Sequence, residues 1–278
     1  MAESSRPILR PSERAFALAS EVLADSPAGL LTDFDGTISP IVQEPPLARL
    51  VDGADGALAT LVDRLAVVAV VTGRDPLDAR RMTGVPGLLI AGNHGTEWLE
   101  PDAERPIETP GATSIRERLD AVLDGMPDLP GVSIERKGIS ATVHYRAAPD
   151  PNAAVPRILE ALGDTERLGI QLRHGQMSVE LRPIGHGDKG SAAHAIIERF
   201  GLRGVVVMGD DFTDLDMFRA VDELRSAGRI RGAIIGVGGG DRDVPEPIVE
   251  ATDVVLADPA ESAALLLALA AASGPRRS

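Results

Sequence analysis

Two carboxylates, Asp33 and Asp35, stand one residue apart at the end of an apolar run in the stretch GLLTDFDGTISP (29–40). A second apolar run, GVVVMGDD (204–211), ends in Asp210. Like charges brought close together raise each other's pKa unless a cation lies among them. Mg²⁺ suits a site of few carboxylates completed by water and a substrate phosphate. These acids therefore predict a magnesium site.

With a metal in place, the two acids of the first run have different chemical uses. Asp33, at the strand terminus, can attack phosphorus and form an aspartyl-phosphate, which splits one difficult step into two. Asp35 can protonate the leaving group as a general acid and then activate water. Gly36 permits the sharp turn that follows. Taken alone, Asp211 and Asp214 are equally well interpreted as helix N-caps.

Two further residues suit phosphoryl transfer. Thr72 offers a hydroxyl that, with nearby backbone N–H groups, can hold a phosphoryl oxygen. Lys189 lies at the start of a predicted helix, where the helix dipole disfavours a cation. This local misfit suggests that Lys189 neutralises charge on the transferring phosphoryl group. The alternative is an exposed surface lysine.

Continuous apolar strands alternating with helices predict a parallel sheet covered on both faces. The carboxyl ends of such strands meet at one edge, where ligands bind in α/β proteins. Asp33, Thr72 and Asp210 each follow such a strand and are therefore expected to lie together. The predicted strands cover residues 28–34, 66–74, 87–95, 204–211, 231–239 and 253–258.

The middle of the chain follows a different pattern. Helix, hairpin, helix and hairpin succeed one another, with the hairpins predicted at Lys137–Gly138 and His174–Gly175. This is the pattern of a small open-faced α+β layer. We therefore predict a core domain formed by residues 1–107 and 187–278, with an inserted α+β domain over residues 108–186.

Composition limits the class of partner. The chain has 278 residues, of which 44% are hydrophobic, and a net charge of −14. Such an acidic protein repels nucleic acid and anionic membranes on average, and it binds a phosphorylated substrate only through a local cation. No cysteine is present, which excludes disulfides and thiolate metal sites. Without a leader-like or membrane-spanning segment, the expected location is the cytoplasm.

Four motifs in order resemble those of the haloacid dehalogenase superfamily of phosphatases: DFDGT, TGR, Lys189 and GDDFTD. The resemblance spans the chain and implies a Rossmann-like parallel-sheet core with an inserted α+β cap domain. Two positions depart from the pattern. Leu215 stands where an acidic residue is expected, and Thr72 where serine is commoner.

Further stretches narrow the resemblance to the trehalose-6-phosphate phosphatases: DFDGTISPIVQEPPLA, GNHGTE, IERKGISATVHYR and VELRPIGHGDKG. This implies Mg²⁺-dependent hydrolysis of trehalose 6-phosphate, the last step of trehalose biosynthesis, with trehalose-6-phosphate synthase as the pathway partner. Metal ligands would be Asp33, Asp210 and the backbone carbonyl of Asp35, with Asp214 as a supporting acid. The implied substrate-binding residues are Gly73, Arg74, His94, Glu135, Lys137 and Glu180.

Three other functions remain open at this point. A phosphatase for another glycosyl phosphate, such as sucrose or glucosylglycerol phosphate, would share the core and differ in the cap. A phosphomutase would share both but return the phosphoryl group to a sugar. A non-catalytic sugar-phosphate sensor would typically have lost Asp33 or Asp35, and both are present.

Overall fold

The computed structural model describes residues 10–42, 44–109, 112–137, 139–175, 177–184, 187–240 and 244–272, without the side chain of Lys137. The chain divides into two compact units. The first is Met1–Pro106 with Asp188–Ser278, and the second is Ile107–Gly187. The insert predicted from the sequence, residues 108–186, is one residue shorter at each end than the second unit. Residue 186 itself lies outside the described residues.

Regular elements alternate along the chain. The strands are β1 (Ala28–Thr32), β2 (Val67–Val71), β3 (Leu89–Gly92), β4 (Glu97–Leu99), β5 (Ile107–Glu108), β6 (Ser133–Lys137), β7 (Ser140–His144), β8 (Ile170–Gly175), β9 (Ser178–Pro183), β10 (Gly204–Gly209), β11 (Arg231–Val237) and β12 (Val254–Leu256). The helices are α1 (Pro11–Leu23), α2 (Ala54–Val62), α3 (Pro76–Thr83), α4 (Ala112–Asp124), α5 (Pro151–Leu162), α6 (Lys189–Arg199), α7 (Asp214–Ser226), α8 (Glu246–Ala251) and α9 (Pro259–Ala272).

The first unit is built on a mostly parallel sheet in the order β12-β11-β10-β1-β2-β3-β4. Strand β1 pairs in parallel with both β10 and β2. The three strands that precede Asp210, Asp33 and Thr72 are therefore direct neighbours. The prediction of a parallel-sheet core is confirmed, with one difference: β4 runs antiparallel to β3.

Burial on both faces explains the continuous apolar strands of this sheet. Every residue of β1, β2 and β10 is buried. One apolar cluster packs β1 residues such as Leu30 against α1, α2 and α9, and a second packs Leu31 against α6, α7 and α8. Because adjacent strand residues point to opposite faces, both faces must be apolar.

The second unit contains an antiparallel sheet in the order β6-β7-β9-β8. Helices α4 and α5 cover one face through an apolar cluster that includes Leu119, Ile158 and Val143. The β6–β7 turn involves Gly138, which lies outside the described residues. The second hairpin turns later than predicted, because His174 and Gly175 both pair with β9 as part of β8.

Three short elements were not predicted from the sequence: β4, β5 and α8. Strand β4 has only three residues, which is too short to show alternation. In the described ranges, no helix is both long and apolar enough to cross a membrane.

Candidate active site

The carboxyl edge of the first unit's sheet brings three predicted site residues to neighbouring strand ends. The backbone N–H of Asp33 donates to the carbonyl of Met208 at 2.9 Å, which extends the β1–β10 pairing beyond β1. The N–H of Thr72 donates to Ala91 at 2.9 Å in the same way beyond β2. Backbone pairing therefore fixes both residues, and Asp33 is only 5% exposed.

Lys189 lies between two carboxylates and is 2% exposed. Its Nζ is 2.8 Å from Asp33 Oδ1 and 2.7 Å from Asp214 Oδ1. Burial by itself lowers the pKa of Lys189, but the charges of Asp214 and Asp33 outweigh it and the net direction is upward. The interpretation of Lys189 as an exposed surface lysine is therefore wrong.

The start of α6 is packed so that Lys189 reaches this position. Asp188 caps the helix by accepting a hydrogen bond from the N–H of Ser191 at 2.7 Å. A Cβ at Gly190 would lie 2.5 Å from the carbonyl oxygen of Asp216 in α7. Only glycine allows this close approach of the two helices.

Asp214 organises the acidic loop and is fully buried. Its Oδ1 accepts from Lys189, and its Oδ2 accepts from the backbone N–H groups of Asp210 and Asp211 at 2.9 and 3.1 Å. Both oxygens are thus already engaged, which suits the supporting role implied by the resemblance. Asp211 accepts from the N–H of Thr213 at 2.7 Å, which forms an Asx turn before α7. The N-cap of α7 is Thr213, so the interpretation of Asp211 or Asp214 as the N-cap is wrong.

The acids at this edge fit a hard divalent cation. Carboxylate oxygens of Asp33, Asp210 and Asp214 lie within 4.8 Å of one another. Burial raises the pKa of Asp33 well above its usual range, against the effect of Lys189. Burial, and then the charges of Asp214 and Asp211, raise the pKa of Asp210 to about 7. A cation would remove this mutual repulsion, and Asp33 and Asp210 are the two acids best placed to hold it.

Gly36 is required here for two reasons. Its φ of 76° lies in the left-handed region that favours glycine. A Cβ at this position would also lie 1.9 Å from Oδ2 of Asp210. The hydroxyl of the next residue, Thr37, donates to Oδ1 of Asp210 at 3.1 Å. The turn after β1 therefore shapes the environment of the acid at the end of β10.

Arg74 makes an interaction with Asp35 that the sequence analysis did not anticipate. Its Nε and Nη2 each lie 2.6 Å from a different carboxylate oxygen of Asp35. Its Nη1 donates to the carbonyl of Pro45 at 2.8 Å, and its guanidinium lies 5.3 Å from the ring centroid of Phe34. Hydrogen bonding to Asp35 raises the pKa of Arg74. This paired fork orients the predicted general acid.

The predicted residues Gly73 and His94 lie against each other. The backbone N–H of His94 donates to the carbonyl of Thr72 at 2.9 Å, and that of Asn93 to Arg74 at 2.8 Å. Both Asn93 and His94 have positive φ, at 48° and 58°. A Cβ at Gly73 would lie 2.7 Å from Cε1 of His94. The 93–95 loop therefore holds the His94 imidazole over the Thr72–Arg74 turn.

The predicted residues of the second unit share the sheet face opposite its helices. Glu135 pairs with Thr142, and Thr142 with Glu180, so the three form one row across β6, β7 and β9. Lys137 follows Glu135 by two residues at the end of β6, and its side chain lies outside the described part of the chain. Two further residues of this sheet contact the glutamates and were not predicted as site residues: His144 contacts Glu135, and Arg182 contacts Glu180.

A family model and several curated relatives that match this chain point to the same family, the trehalose phosphatases. The trehalose-phosphatase family model matches residues 31–244, which include every predicted site residue. A trehalose-phosphate phosphatase of Mycobacterium avium is 37% identical over 222 residues, covering 77% of this chain and 56% of the relative. A trehalose-phosphate phosphatase of Mycobacterium leprae is 35% identical, and the match covers 75% of this chain and 51% of the relative. The chain thus spans about half the length of these curated relatives.

A solved structure of a trehalose-6-phosphate phosphatase resembles this protein over nearly the whole chain. The trehalose-6-phosphate phosphatase of Aspergillus fumigatus superposes with a TM-score of 0.70 at 25% identity. The superposition covers 97% of this chain and 100% of the other. A second structure, the C-terminal domain of the Candida albicans enzyme, shares the fold with a TM-score of 0.65 at 23% identity.

Proposed function

The chain belongs to the trehalose-phosphatase family, and from that premise we propose that it hydrolyses trehalose 6-phosphate to trehalose and phosphate. The observation that carries the proposal is the buried Lys189, paired with Asp33 beside Asp210 at the carboxyl edge of the sheet. Asp33 is a buried carboxylate that pairs with Lys189, and Asp210 beside it can hold a metal. This arrangement suits attack of a carboxylate on a phosphomonoester. We also propose that the protein is cytoplasmic and that a trehalose-6-phosphate synthase is its pathway partner.

The proposed chemistry assigns one task to each residue. Asp33 attacks phosphorus, the bond from phosphorus to the sugar oxygen breaks, and Asp35 protonates that oxygen. Asp35 then takes a proton from water as the water attacks the aspartyl-phosphate, which releases phosphate and regenerates Asp33. Lys189 offsets charge on the phosphoryl group, and the Thr72 hydroxyl holds one of its oxygens.

The metal would be held by Asp33 and Asp210 with the main-chain carbonyl of Asp35, while Asp214 supports the loop. Mg²⁺ bound by these residues would neutralise the charge of the carboxylates and of the phosphoryl oxygens. Purified protein is expected to release phosphate from trehalose 6-phosphate with Mg²⁺, and EDTA is expected to abolish the release. Turnover unaffected by EDTA would contradict the metal assignment.

Metal affinity is expected to depend on pH because Asp210 has a pKa of about 7 without metal. Below this pKa a proton occupies the carboxylate that the metal requires, so affinity should fall by up to about tenfold per pH unit. Above it, the contribution of Asp210 should level off, while Asp33, whose pKa burial also raises, adds to the same dependence on pH. Calorimetric titration with Mg²⁺ between pH 5.5 and pH 8.5 measures this. Equal affinity at both ends would contradict the role of Asp210.

The second unit is proposed to select the sugar through Glu135, Lys137 and Glu180. A carboxylate can accept hydrogen bonds from two sugar hydroxyls at once, and a lysine contributes donors. Glu135→Ala is expected to lower kcat/KM for trehalose 6-phosphate by roughly 10–100-fold, the range for a hydrogen bond to a charged group. The loss on p-nitrophenyl phosphate, which has no sugar, should be far smaller.

Glu160→Ala provides the matched control for this prediction. Glu160 is an exposed glutamate on α5, the helix on the covered side of the same sheet. The control should leave both activities unchanged. An equal loss of kcat/KM on both substrates in Glu135→Ala would contradict the proposal that the second unit selects the sugar.

A further inference from the structure

The open face of the sheet in the second unit presents a basic side chain beside each candidate sugar-binding glutamate. We propose that His144 is a positioning residue that holds the Glu135 carboxylate for the sugar hydroxyls. This inference rests on the proposed function. It adds a residue whose effect on substrate selection is exerted through Glu135 rather than by direct contact with the reacting atoms.

Strand register places His144 next to Glu135. Residue pairs Ser133↔His144 and Glu135↔Thr142 put His144 diagonally across from Glu135 on the same face. Nε2 of His144 lies 3.1 Å from Oε2 of Glu135. Both side chains remain accessible, at 42% and 51% exposure, so a ligand approaching this face can reach the pair.

The neighbouring Glu180 also pairs with a basic side chain, here from its own strand β9. Nε and Nη2 of Arg182 lie 3.0 and 2.8 Å from Oε2 of Glu180. Both contacts converge on one oxygen, so Oε1 of Glu180 takes no part in this pair. Two glutamates of the same face are thus each held through Oε2 by a basic group. This repetition favours a common purpose over a chance surface ion pair.

Holding a glutamate has a definite consequence for binding. A free glutamate side chain loses rotamer freedom when it binds a ligand, and this loss opposes binding. A glutamate already oriented by His144 has lost much of that freedom before the sugar arrives. Removing the imidazole should therefore weaken ground-state binding of the sugar and raise KM, with a smaller effect on kcat.

The contact needs an N–H at the position of Nε2. Glutamine can place a side-chain N–H at a similar reach, whereas alanine cannot. His144→Ala is expected to raise KM for trehalose 6-phosphate about fivefold, less than the roughly 10–100-fold given for Glu135→Ala because both partners of the contact are exposed. His144→Gln should recover most of this loss, which a purely space-filling role does not explain.

Steady-state kinetics on four variants tests the proposal: His144→Ala, His144→Gln, Glu135→Ala and the double variant with alanine at both positions. If His144 acts through Glu135, its removal should have no further effect once Glu135 is alanine. Ser133→Ala is the control, since Ser133 is the direct cross-strand neighbour of His144. It should leave KM unchanged. Thermal unfolding of each variant shows whether the fold is kept.

Three results would overturn the proposal. The first is an unchanged KM in His144→Ala, and the second is a loss in the Glu135→Ala background equal to that in wild type. The third is a His144→Gln variant no better than alanine. In all three, wild-type turnover of trehalose 6-phosphate shows that the proposed function stands. Absence of wild-type turnover overturns both.

Discussion

Asp33→Asn is expected to lower turnover of trehalose 6-phosphate by at least about 10⁴-fold, the scale seen when a catalytic nucleophile is removed. The amide keeps the shape of the carboxylate but cannot attack phosphorus. The fold should survive, because burial already favours a neutral group at this position and raises the pKa of Asp33 well above normal. Phosphate release and a thermal unfolding curve measure the two effects.

The exposed residue Asp63 supplies a control for this variant. Asp63→Asn makes the same chemical change at the end of α2 and should leave turnover unchanged. Asp33→Asn should still bind trehalose 6-phosphate in a calorimetric titration, because the cap residues are intact. Turnover near the wild-type level in Asp33→Asn would refute the assignment of the nucleophile.

Lys189→Met is expected to damage both activity and stability. The Nζ of Lys189 lies within 2.8 Å of carboxylates of Asp33 and Asp214, and all three residues are buried. Removing one partner of a buried ion pair leaves uncompensated charge and costs roughly 3–5 kcal/mol in the free energy of unfolding. Loss of charge stabilisation at the phosphoryl group should lower kcat by about 10³-fold.

A double variant separates these two effects. Lys189→Met combined with Asp214→Asn removes one buried negative charge, and the asparagine oxygen can still accept from the N–H groups of Asp210 and Asp211. The free energy of unfolding should recover substantially, while kcat should stay low. Recovery of kcat together with stability would mean that Lys189 has only a structural role.

The parallel core could be predicted because its signal is local and strong. Strands such as β2, VVAVV, are buried on both faces, and Asp33, Thr72 and Asp210 each directly follow a strand of this kind. The misfit of Lys189 with the helix dipole also pointed to its use. In the structure its side chain is turned to Asp33 and Asp214 and is not exposed at the helix start.

Side-chain contacts between neighbouring turns and between paired strands could not be predicted in the same way. The fork between Arg74 and Asp35 depends on the geometry of two turns that are 39 residues apart in sequence. The side-chain contact of His144 with Glu135 depends on hairpin register, which Gly138 did not fix in advance. Both contacts join residues that the motifs treat separately.

The departure from the family pattern at Leu215 has a structural explanation. Leu215 is 8% exposed and belongs to the apolar cluster formed with α6 and α7. Burial among apolar side chains suits leucine at this position. The neighbouring Asp214 makes the contacts to Lys189 and to the acidic loop, and Lys189 pairs with Asp33 as well. Loss of an acid at 215 therefore leaves the described ion pairs complete.

The most direct test of the account is a comparison of kcat/KM across a panel of phosphate esters in Mg²⁺. The panel contains trehalose 6-phosphate, sucrose phosphate, glucosylglycerol phosphate and p-nitrophenyl phosphate. We expect the highest kcat/KM for trehalose 6-phosphate, with free phosphate as product. A clear preference for another glycosyl phosphate would contradict the substrate assignment, and no release from any of them would contradict the proposed enzyme function.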